Sequence, residues 1–241
     1  MGEPAGDPAV DYSGPIAAGL LLRRYQRFLA DVRLDDGRTV TAHCANPGSM
    51  LSCLDPGTRA WLTRADNPTR KLEWTWEVAR RGRTRIYVNP VGVNAVVAEA
   101  LTVGLVKELR AYRQVQREVR WGDHSRLDFL LSRGQHRCYV EVKSATLALG
   151  GGRTAFPDAV TTRGTKHLEE LMRIRAAGHR AVLLFCASRN DTRSVEPADL
   201  IDPEYGATLR RAAANGVEVL AYKVRITQRG VTLSRRVPVL L

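Results

Sequence analysis

The sequence predicts a two-part protein of the α/β (α+β) class, in which a small β-barrel precedes a mixed sheet flanked by helices. Three observations predict this class. Short strand-forming runs alternate with turns up to about residue 88, apolar residues take a helical spacing from residue 94, and strand and helix patterns alternate after that. We therefore expect a tail over 1–13, a barrel over 14–88 and an α/β domain over 89–241. The tail is rich in Pro, Gly, Ala and Asp and is predicted to be disordered.

The barrel prediction rests on about five short strands separated by recognisable turns. Asp35-Asp36-Gly37 has the composition of a hairpin turn. Asn46-Pro47-Gly48 and Asp55-Pro56-Gly57 also predict turns, because Pro fixes φ and Gly accepts positive φ. The expected strands are 19–25, 28–34, 38–44, 58–64 and 74–79. So many short strands in a small region favour an OB-like barrel.

The second part combines helical and strand periodicities. Helices are predicted over 94–112, with a weak point or break at Gly104, over 157–177, with Gly178 as its stop, and over 203–214. The expected strands are 115–121, 126–131, 137–142, 181–187, 217–226 and 231–234. The apolar run 181–187 is typical of a buried central strand. The order α-β-β-β-α-β-α-β predicts a mixed sheet.

The charge of the chain points to a polyanionic partner. The net charge is +12 and the sequence pI is about 10.1. Nucleic acid is the commonest polyanion that such a field attracts in a cell. The alternative is a bias of composition, since 32 of the 37 basic residues are Arg, as a GC-rich genome would produce.

The cysteines and the apolar segments exclude other classes. Cys44, Cys53, Cys138 and Cys186 have no CxxC spacing, so we expect buried thiols in a reducing compartment and no zinc knuckle. The N-terminus has no signal-peptide pattern, and no stretch approaches the ~18 apolar residues of a membrane span. The sequence therefore predicts a cytoplasmic protein without membrane contact.

Glu141 and Lys143 are the strongest candidates for chemistry. They are two residues apart on a predicted strand, so both side chains point to one face. Asp128 lies on the preceding strand, and the turn at Arg133-Gly134-Gln135 brings the two strands together. Two carboxylates suit Mg²⁺ or Mn²⁺, and such a metal activates water for phosphodiester hydrolysis. The alternative is a surface Glu–Lys pair on an edge strand.

A further acid is expected from the first predicted helix. Glu99 lies in the apolar stretch Val96-Val97-Ala98-Glu99-Ala100, where burial of a carboxylate is costly unless a partner is present. A metal ion at the edge of the sheet would be such a partner. We therefore include Glu99 among the predicted metal ligands.

Basic residues around these acids are candidates for phosphate contacts. Arg163 and Lys166 share a helix face, and Arg126 alternates onto the predicted face of Asp128. His167 is a candidate for contacting phosphate or supporting the site, although a lone helix histidine is more often structural. The alternative for the helix is a solvated face with intrahelical ion pairs.

The barrel carries basic residues interleaved with aromatic ones. Arg24, Arg27, Arg70 and Lys71 are predicted to bind nucleic acid, because such a mixture on a barrel supports base stacking and phosphate contacts. Trp74 and Trp76 are two apart on one face, and we assign them to the barrel core. Two loop predictions complete the set. The run Gly150-Gly151-Gly152 is predicted to be a mobile segment that closes over substrate, and Asp158 is predicted to cap a helix.

A chain-long resemblance adds to these predictions. The segments that carry it, in order, are Arg24-Tyr25-x-Arg27-Phe28, Asn46-Pro47-Gly48-Ser49-Met50, Arg70-Lys71-Leu72, Ser125-Arg126-Leu127-Asp128-Phe129, Tyr139-Val140-Glu141-Val142-Lys143 and Arg163-Gly164-x-Lys166-His167. They resemble the sugar fermentation stimulation protein family (SfsA). The resemblance implies an OB-like barrel and a PD-(D/E)xK nuclease-like domain, although Leu127 replaces the first Pro of that motif. It also implies DNA binding, with a regulatory part in sugar (maltose) metabolism.

Three functions are carried forward from the sequence. The first is a divalent-metal-dependent nuclease that acts on single- or double-stranded DNA without strong sequence specificity. The second is a non-catalytic DNA-binding regulator linked to sugar metabolism, although no helix-turn-helix pattern is evident. The third is binding or processing of RNA, because the chemistry of a barrel surface does not separate RNA from DNA.

Overall fold

A computed structural model describes residues 10–65, 69–122 and 125–241. Its strands are β1 (Val10–Asp11), β2 (Ile16–Tyr25), β3 (Leu29–Leu34), β4 (Thr39–His43), β5 (Arg59–Arg64), β6 (Trp74–Arg81), β7 (Thr84–Tyr87), β8 (Gln114–Trp121), β9 (Ser125–Arg133), β10 (His136–Ala145), β11 (Leu147–Gly150), β12 (Arg153–Phe156), β13 (Arg180–Ala187), β14 (Ser194–Pro197), β15 (Glu218–Ile226) and β16 (Gly230–Arg236). Its helices are α1 (Pro90–Thr102), α2 (Thr162–Ala176) and α3 (Pro203–Ala214). In the described ranges, no helix is long and apolar enough to cross a membrane.

Strands β2 to β7 form the sheet of the predicted OB-like barrel. Their order is β4-β3-β2-β5-β6-β7, and a parallel pairing of β4 with β6 closes a five-stranded barrel. Gly19 allows β2 to approach β3, since a Cβ there would lie 2.5 Å from the backbone oxygen of Arg33. Trp76 is fully buried in the barrel core and Trp74 packs against it. The assignment of this tryptophan pair to the core is therefore confirmed.

The α/β domain is a mixed sheet with helices on both faces. The strand order is β1-β16-β15-β13-β10-β9-β8, and β10, β13 and β15 run parallel. On one face, α1 and barrel residues such as Trp61 and Tyr87 pack against the sheet in one apolar cluster. On the other face, α2 and α3 form a second apolar cluster around Phe185 and Tyr205. The barrel thus lies against the same side of the sheet as α1.

Two helices begin and end elsewhere than their patterns predict. Helix α1 starts at Pro90, because the Asn89 side chain accepts the backbone N–H of Val91 as an N-cap, and it ends before Gly104, whose φ is +72°. Helix α2 starts after its N-cap Thr161 rather than at 157. For α1, the apolar spacing continues to Leu109, beyond the end of the helix.

The structure also contains strands that the sequence patterns do not reveal. Strand β7 extends the barrel sheet, and β11-β12-β14 form a separate three-stranded sheet. The run Gly150-Gly151-Gly152 is the turn between β11 and β12, with positive φ at all three residues. Its glycines do not line the cleft described below, and the prediction of a segment that closes over substrate stays a prediction. Glycine is required here because the turn needs left-handed backbone.

The predicted disordered tail is partly a strand. Val10 pairs with Val231 and Asp11 with Gly230, which adds β1 to the edge of the α/β sheet. Residues 1–9 lie outside the described residues. The prediction is therefore wrong for the last part of 1–13, because a two-residue strand is too short to produce a pattern.

Candidate metal centre

Asp128 lies where two neighbouring strands separate. Strands β9 and β10 pair from His136↔Arg133 to Val140↔Phe129, and their pairing ends there. The Asp128 carboxylate takes the place of the missing ladder partner, since the backbone N–H of Val142 donates to its Oδ2 at 2.8 Å. Asn94 of α1 donates to Oδ1, also at 2.8 Å. The carboxylate is thus held between the sheet and α1.

Glu141 and Lys143 share one face of β10, as their spacing predicts. Lys143 Nζ lies 2.6 Å from Glu141 Oε1. His167 of α2 contacts the same carboxylate oxygen through Nδ1, which also lies 2.9 Å from Lys143 Nζ. Strand β10 lies inside the sheet between β9 and β13, and Glu141 is only 3% exposed. The alternative of a surface pair on an edge strand is therefore wrong.

The two carboxylates have opposite pKa shifts. Burial opposes ionisation of Glu141, but the hydrogen bond from His167 and the charge of Lys143 outweigh it and lower its pKa. Burial raises the pKa of Asp128, the nearby Glu141 charge raises it further, and the bonds from Val142 and Asn94 offset only part of this. Two neighbouring carboxylates with oppositely perturbed pKa values mark this part of the protein as a candidate functional site.

The chemistry of these residues fits a divalent cation that keeps much of its water. Glu141 Oε2 is buried and has no hydrogen-bond partner, so one carboxylate oxygen remains for a ligand. In residues 10–65, 69–122 and 125–241, no group of three or more His, Cys, Asp or Glu side chains is arranged to hold a metal ion. Two carboxylates suffice for Mg²⁺ or Mn²⁺, whereas a site made entirely of protein ligands would need more.

These groups form the floor of a cleft of about 480 Å³ between the barrel and the α/β domain. Its lining comes from the barrel, α1, β10, the segment before α2, and α2 itself. The lining residues include Arg27, Asn46, Pro47, Gly48, Pro90, Asn94, Asp128, Glu141, Lys143, Phe156, Pro157, Asp158, Val160, Thr161, Arg163 and His167. Neither part of the chain forms this cleft alone.

Asp158 fastens the barrel to the segment before α2. Its Oδ2 accepts the backbone N–H of Met50 at 2.8 Å, and its backbone oxygen accepts the Ser49 hydroxyl. A Cβ on Gly48 would lie 2.6 Å from the Asp158 carboxylate, so only glycine allows this approach. The prediction that Asp158 caps α2 is wrong, since Thr161 is the N-cap. Asp158 docks the loop 46–50 instead.

Comparison with known proteins agrees with this geometry. The model of the SfsA N-terminal OB domain matches residues 22–88, and that of the sugar fermentation stimulation protein RE domain matches residues 92–230. The chain belongs to the sugar fermentation stimulation protein (SfsA) family. It is 51% identical over 227 residues to a homologue from Geotalea daltonii, which covers 94% of this chain and 98% of the relative.

Other relatives extend this result. A homologue from Thioalkalivibrio sulfidiphilus is 51% identical over 216 residues, which cover 89% of this chain and 91% of the relative. A solved structure described as Pyrococcus furiosus SfsA in complex with Ca²⁺ superposes with a TM-score of 0.88. Its sequence identity is 24%, and the match covers 98% of this chain and 100% of that chain. This similarity supports the two-part fold of the SfsA family.

Glu99 does not join the centre of this SfsA protein. It is not among the residues that line the cleft, and α1 presents Asn94 to Asp128 instead. Five residues separate Asn94 from Glu99, so their side chains point about 140° apart around the helix. The prediction of Glu99 as a metal ligand is therefore wrong. The lone amide of Asn94 in the apolar run Val93-Asn94-Ala95-Val96 was the signal that could have revealed the contact with Asp128.

The predicted basic residues of the barrel have different positions. Arg27 is exposed and lines the cleft. Arg24 instead donates through Nη2 to the backbone oxygens of Asn46 and Gly48, at 2.8 and 3.0 Å, and so supports the loop 46–50. Arg70 and Lys71 are exposed on the barrel, and neither lines the cleft.

The predicted basic residues of the α/β domain also differ in whether they line the cleft. Arg163 lines the cleft, and its Nε donates to His167 Nε2 at 3.4 Å. Lys166 is exposed on α2. Arg126 pairs with Glu118 at 3.1 Å rather than with Asp128. Of the residues predicted to contact nucleic acid, Arg27, Arg163 and His167 therefore line the cleft together with the two carboxylates.

Proposed function

We propose that this protein binds DNA and hydrolyses its phosphodiester bonds with the help of a bound Mg²⁺ or Mn²⁺. The observation that carries the proposal is the unpartnered, buried oxygen of Glu141, which lies on the floor of a cleft beside Lys143. A buried carboxylate oxygen without a hydrogen bond is costly unless a ligand completes it. The net charge of +12 supports a polyanionic substrate.

Six residues of the cleft have a role in the proposed reaction. Asp128 and Glu141 would hold the cation, which would make a bound water a better nucleophile and stabilise negative charge on the phosphate. Lys143 holds the attacking water or the developing charge next to Glu141. His167 positions both side chains through Nδ1, because it contacts Glu141 Oε1 and Lys143 Nζ. Arg27 and Arg163 bind phosphates on either side of the scissile one.

The test is a cleavage assay with a matched set of carboxylate variants. Purified protein is incubated with single- and double-stranded DNA and RNA in Mg²⁺, Mn²⁺, Ca²⁺ or chelator. Asp128→Ala and Lys143→Ala are assayed beside Glu99→Gln, an acidic residue outside the cleft. We expect cleavage that needs Mg²⁺ or Mn²⁺, is lost in the first two variants, and is retained in the third.

Two outcomes would overturn the proposal. Cleavage that survives Asp128→Ala and Lys143→Ala would mean that the activity comes from elsewhere. Binding to DNA without metal-dependent cleavage under any condition would favour the alternative function, a non-catalytic DNA-binding regulator.

A further inference from the structure

We propose that the strand entering the cleft is unpaired, so that the protein acts on single-stranded nucleic acid or on single-stranded regions of a duplex. This inference rests on the proposed function and specifies its substrate. Three features of the cleft carry it: the depth of the reacting groups, the fixed roof above them, and the apolar rim.

The reacting side chains are largely buried at the bottom of a small cleft. The side chains of Glu141, Lys143 and His167 are 4%, 12% and 17% exposed. The cleft volume of about 480 Å³ lies within the range of small-molecule sites, roughly 300–1,000 Å³. A phosphate that reaches this floor must bring its sugar and its neighbouring phosphates with it. Duplex DNA is stiff over about 150 base pairs, whereas a single strand bends at each nucleotide.

The roof of the cleft is fastened on one side by the barrel. The loop 46–50 is joined to Asp158 by the bonds from Met50 N–H and the Ser49 hydroxyl, and Arg24 ties the same loop to β2. Gly48 already contacts Asp158 so closely that a Cβ has no room. The loop 46–50 cannot move away from Asp158 without breaking these bonds. A single strand needs no such change.

Three exposed apolar side chains, which we call the apolar rim, either line the cleft or follow a residue that lines it. Val160 lines the cleft and is 74% exposed, and Val91 follows the lining residue Pro90 and is 73% exposed. Phe28 follows Arg27 at the β2–β3 turn and is 44% exposed. Unpaired bases stack on an exposed aromatic ring such as that of Phe28 and pack on exposed valines, while the bases of a duplex are already stacked on each other. Arg27 and Arg163 then provide the phosphate contacts.

The experiment compares one DNA circle in two states. A single-stranded circle and the same circle annealed to its full complement and sealed are offered to the wild-type protein. Cleavage is measured with Mn²⁺, and binding is measured by competition in chelator. We expect at least tenfold preference for the single-stranded circle in both measurements. Equal or better use of the sealed duplex would overturn the inference.

Binding in chelator separates this inference from the proposed function. If neither circle is cleaved but the single-stranded one is bound at least tenfold better, the nuclease proposal fails and the inference about the strand stands. If both are cleaved equally, the nuclease proposal stands and the inference fails. An RNA strand of the same sequence is also tested, so that single-stranded RNA is compared with single-stranded DNA.

Variants at the rim provide a second test. Phe28→Ala is expected to weaken single-strand binding about fivefold or more, because stacking of one base is lost. Phe28→Tyr should retain binding, since the ring remains. Val103→Ala is the control. Val103 is similarly exposed, at 49%, but lies at the C-terminal end of α1 and does not line the cleft. Unchanged binding in Phe28→Ala, with unchanged thermal unfolding, would count against the apolar rim.

Discussion

Two buried glutamates, one in the barrel and one in the α/β sheet, have opposite electrostatic surroundings. Glu77 of β6 is 6% exposed and accepts from the Thr63 hydroxyl and the Asn89 amide, each at 3.0 Å. Both partners are neutral, and burial outweighs their hydrogen bonds, so the pKa of Glu77 is raised. Glu141 is 3% exposed beside Lys143 and His167, and its pKa is lowered.

The difference separates a structural carboxylate from the one proposed to bind the cation. Both oxygens of Glu77 have partners, and Asn89 is the N-cap of α1, so this glutamate ties the barrel to the helix that carries Asn94. Glu141 keeps one oxygen without a partner and remains ionised by its basic neighbours. Burial alone therefore does not distinguish the two; the charge of the partners and the unpaired oxygen do.

The largest expected effect is on cleavage. Glu141→Gln removes a cation ligand and should lower the cleavage rate by about a hundredfold or more, the loss typical of removing one group that stabilises the transition state. Glu77→Gln should cleave within a few-fold of the wild type, roughly the effect of a small shift in α1. Equal losses in the two variants, in a metal-saturated assay, would erase the distinction between the two glutamates.

The next effect is on stability without metal. Glu141→Gln leaves Lys143 without its closest counter-charge, and we expect the free energy of unfolding to fall by about 2 kcal/mol. The double variant Glu141→Gln/Lys143→Met should recover part of this loss, because no buried charge is then left unpaired. Urea unfolding in chelator measures both. If the double variant shows no recovery, the loss of stability in Glu141→Gln does not come from the unpaired charge of Lys143.

A third expected effect is stabilisation by metal. Mn²⁺ at about ten times its dissociation constant should raise the free energy of unfolding of the wild type by about 1.4 kcal/mol. Glu77→Gln should keep this increase, whereas Glu141→Gln should lose it. Thermal unfolding across a Mn²⁺ titration provides the measurement, and an increase that persists in Glu141→Gln would place the cation elsewhere.

The smallest effect concerns pH. The pKa of Glu77 is raised above its ordinary 4.5, so the folded protein binds more protons than the unfolded chain between these two values. Stability contributed by this group therefore falls as the pH rises through that window. Gln keeps an oxygen for Asn89 and removes the buried charge, so Glu77→Gln should be roughly 1 kcal/mol more stable at neutral pH. A stability difference from wild type that does not change with pH would contradict this.

The sequence predicted part of the centre from local geometry. The alternation of β10 placed Glu141 and Lys143 on one face, and the turn at Gly134 placed Asp128 on the neighbouring strand. His167 was singled out, but its contact with Glu141 was not, because α2 reaches β10 only after the helix packs on the sheet. Glu99 was wrong for a related reason, since the choice between Asn94 and Glu99 depends on how α1 is rotated about its axis.

The barrel shows the same limit. Its strands, turns and tryptophan core followed from composition and alternation, and the four cysteines are buried and free, as their spacing predicted. The role of Asp158 did not follow, because its partners Ser49 and Met50 are more than a hundred residues away in the chain. The β11-β12-β14 sheet was missed because its strands are only four residues each.

The sequence by itself determined the two-part fold and the pair Glu141 and Lys143, because side-chain direction along a strand is a local property of the backbone. Only the tertiary structure decided that Asn94 supports Asp128, that His167 joins the pair, and that Asp158 holds the barrel over the cleft. These contacts depend on how separate elements pack, which is set by the volumes and shapes of many side chains at once.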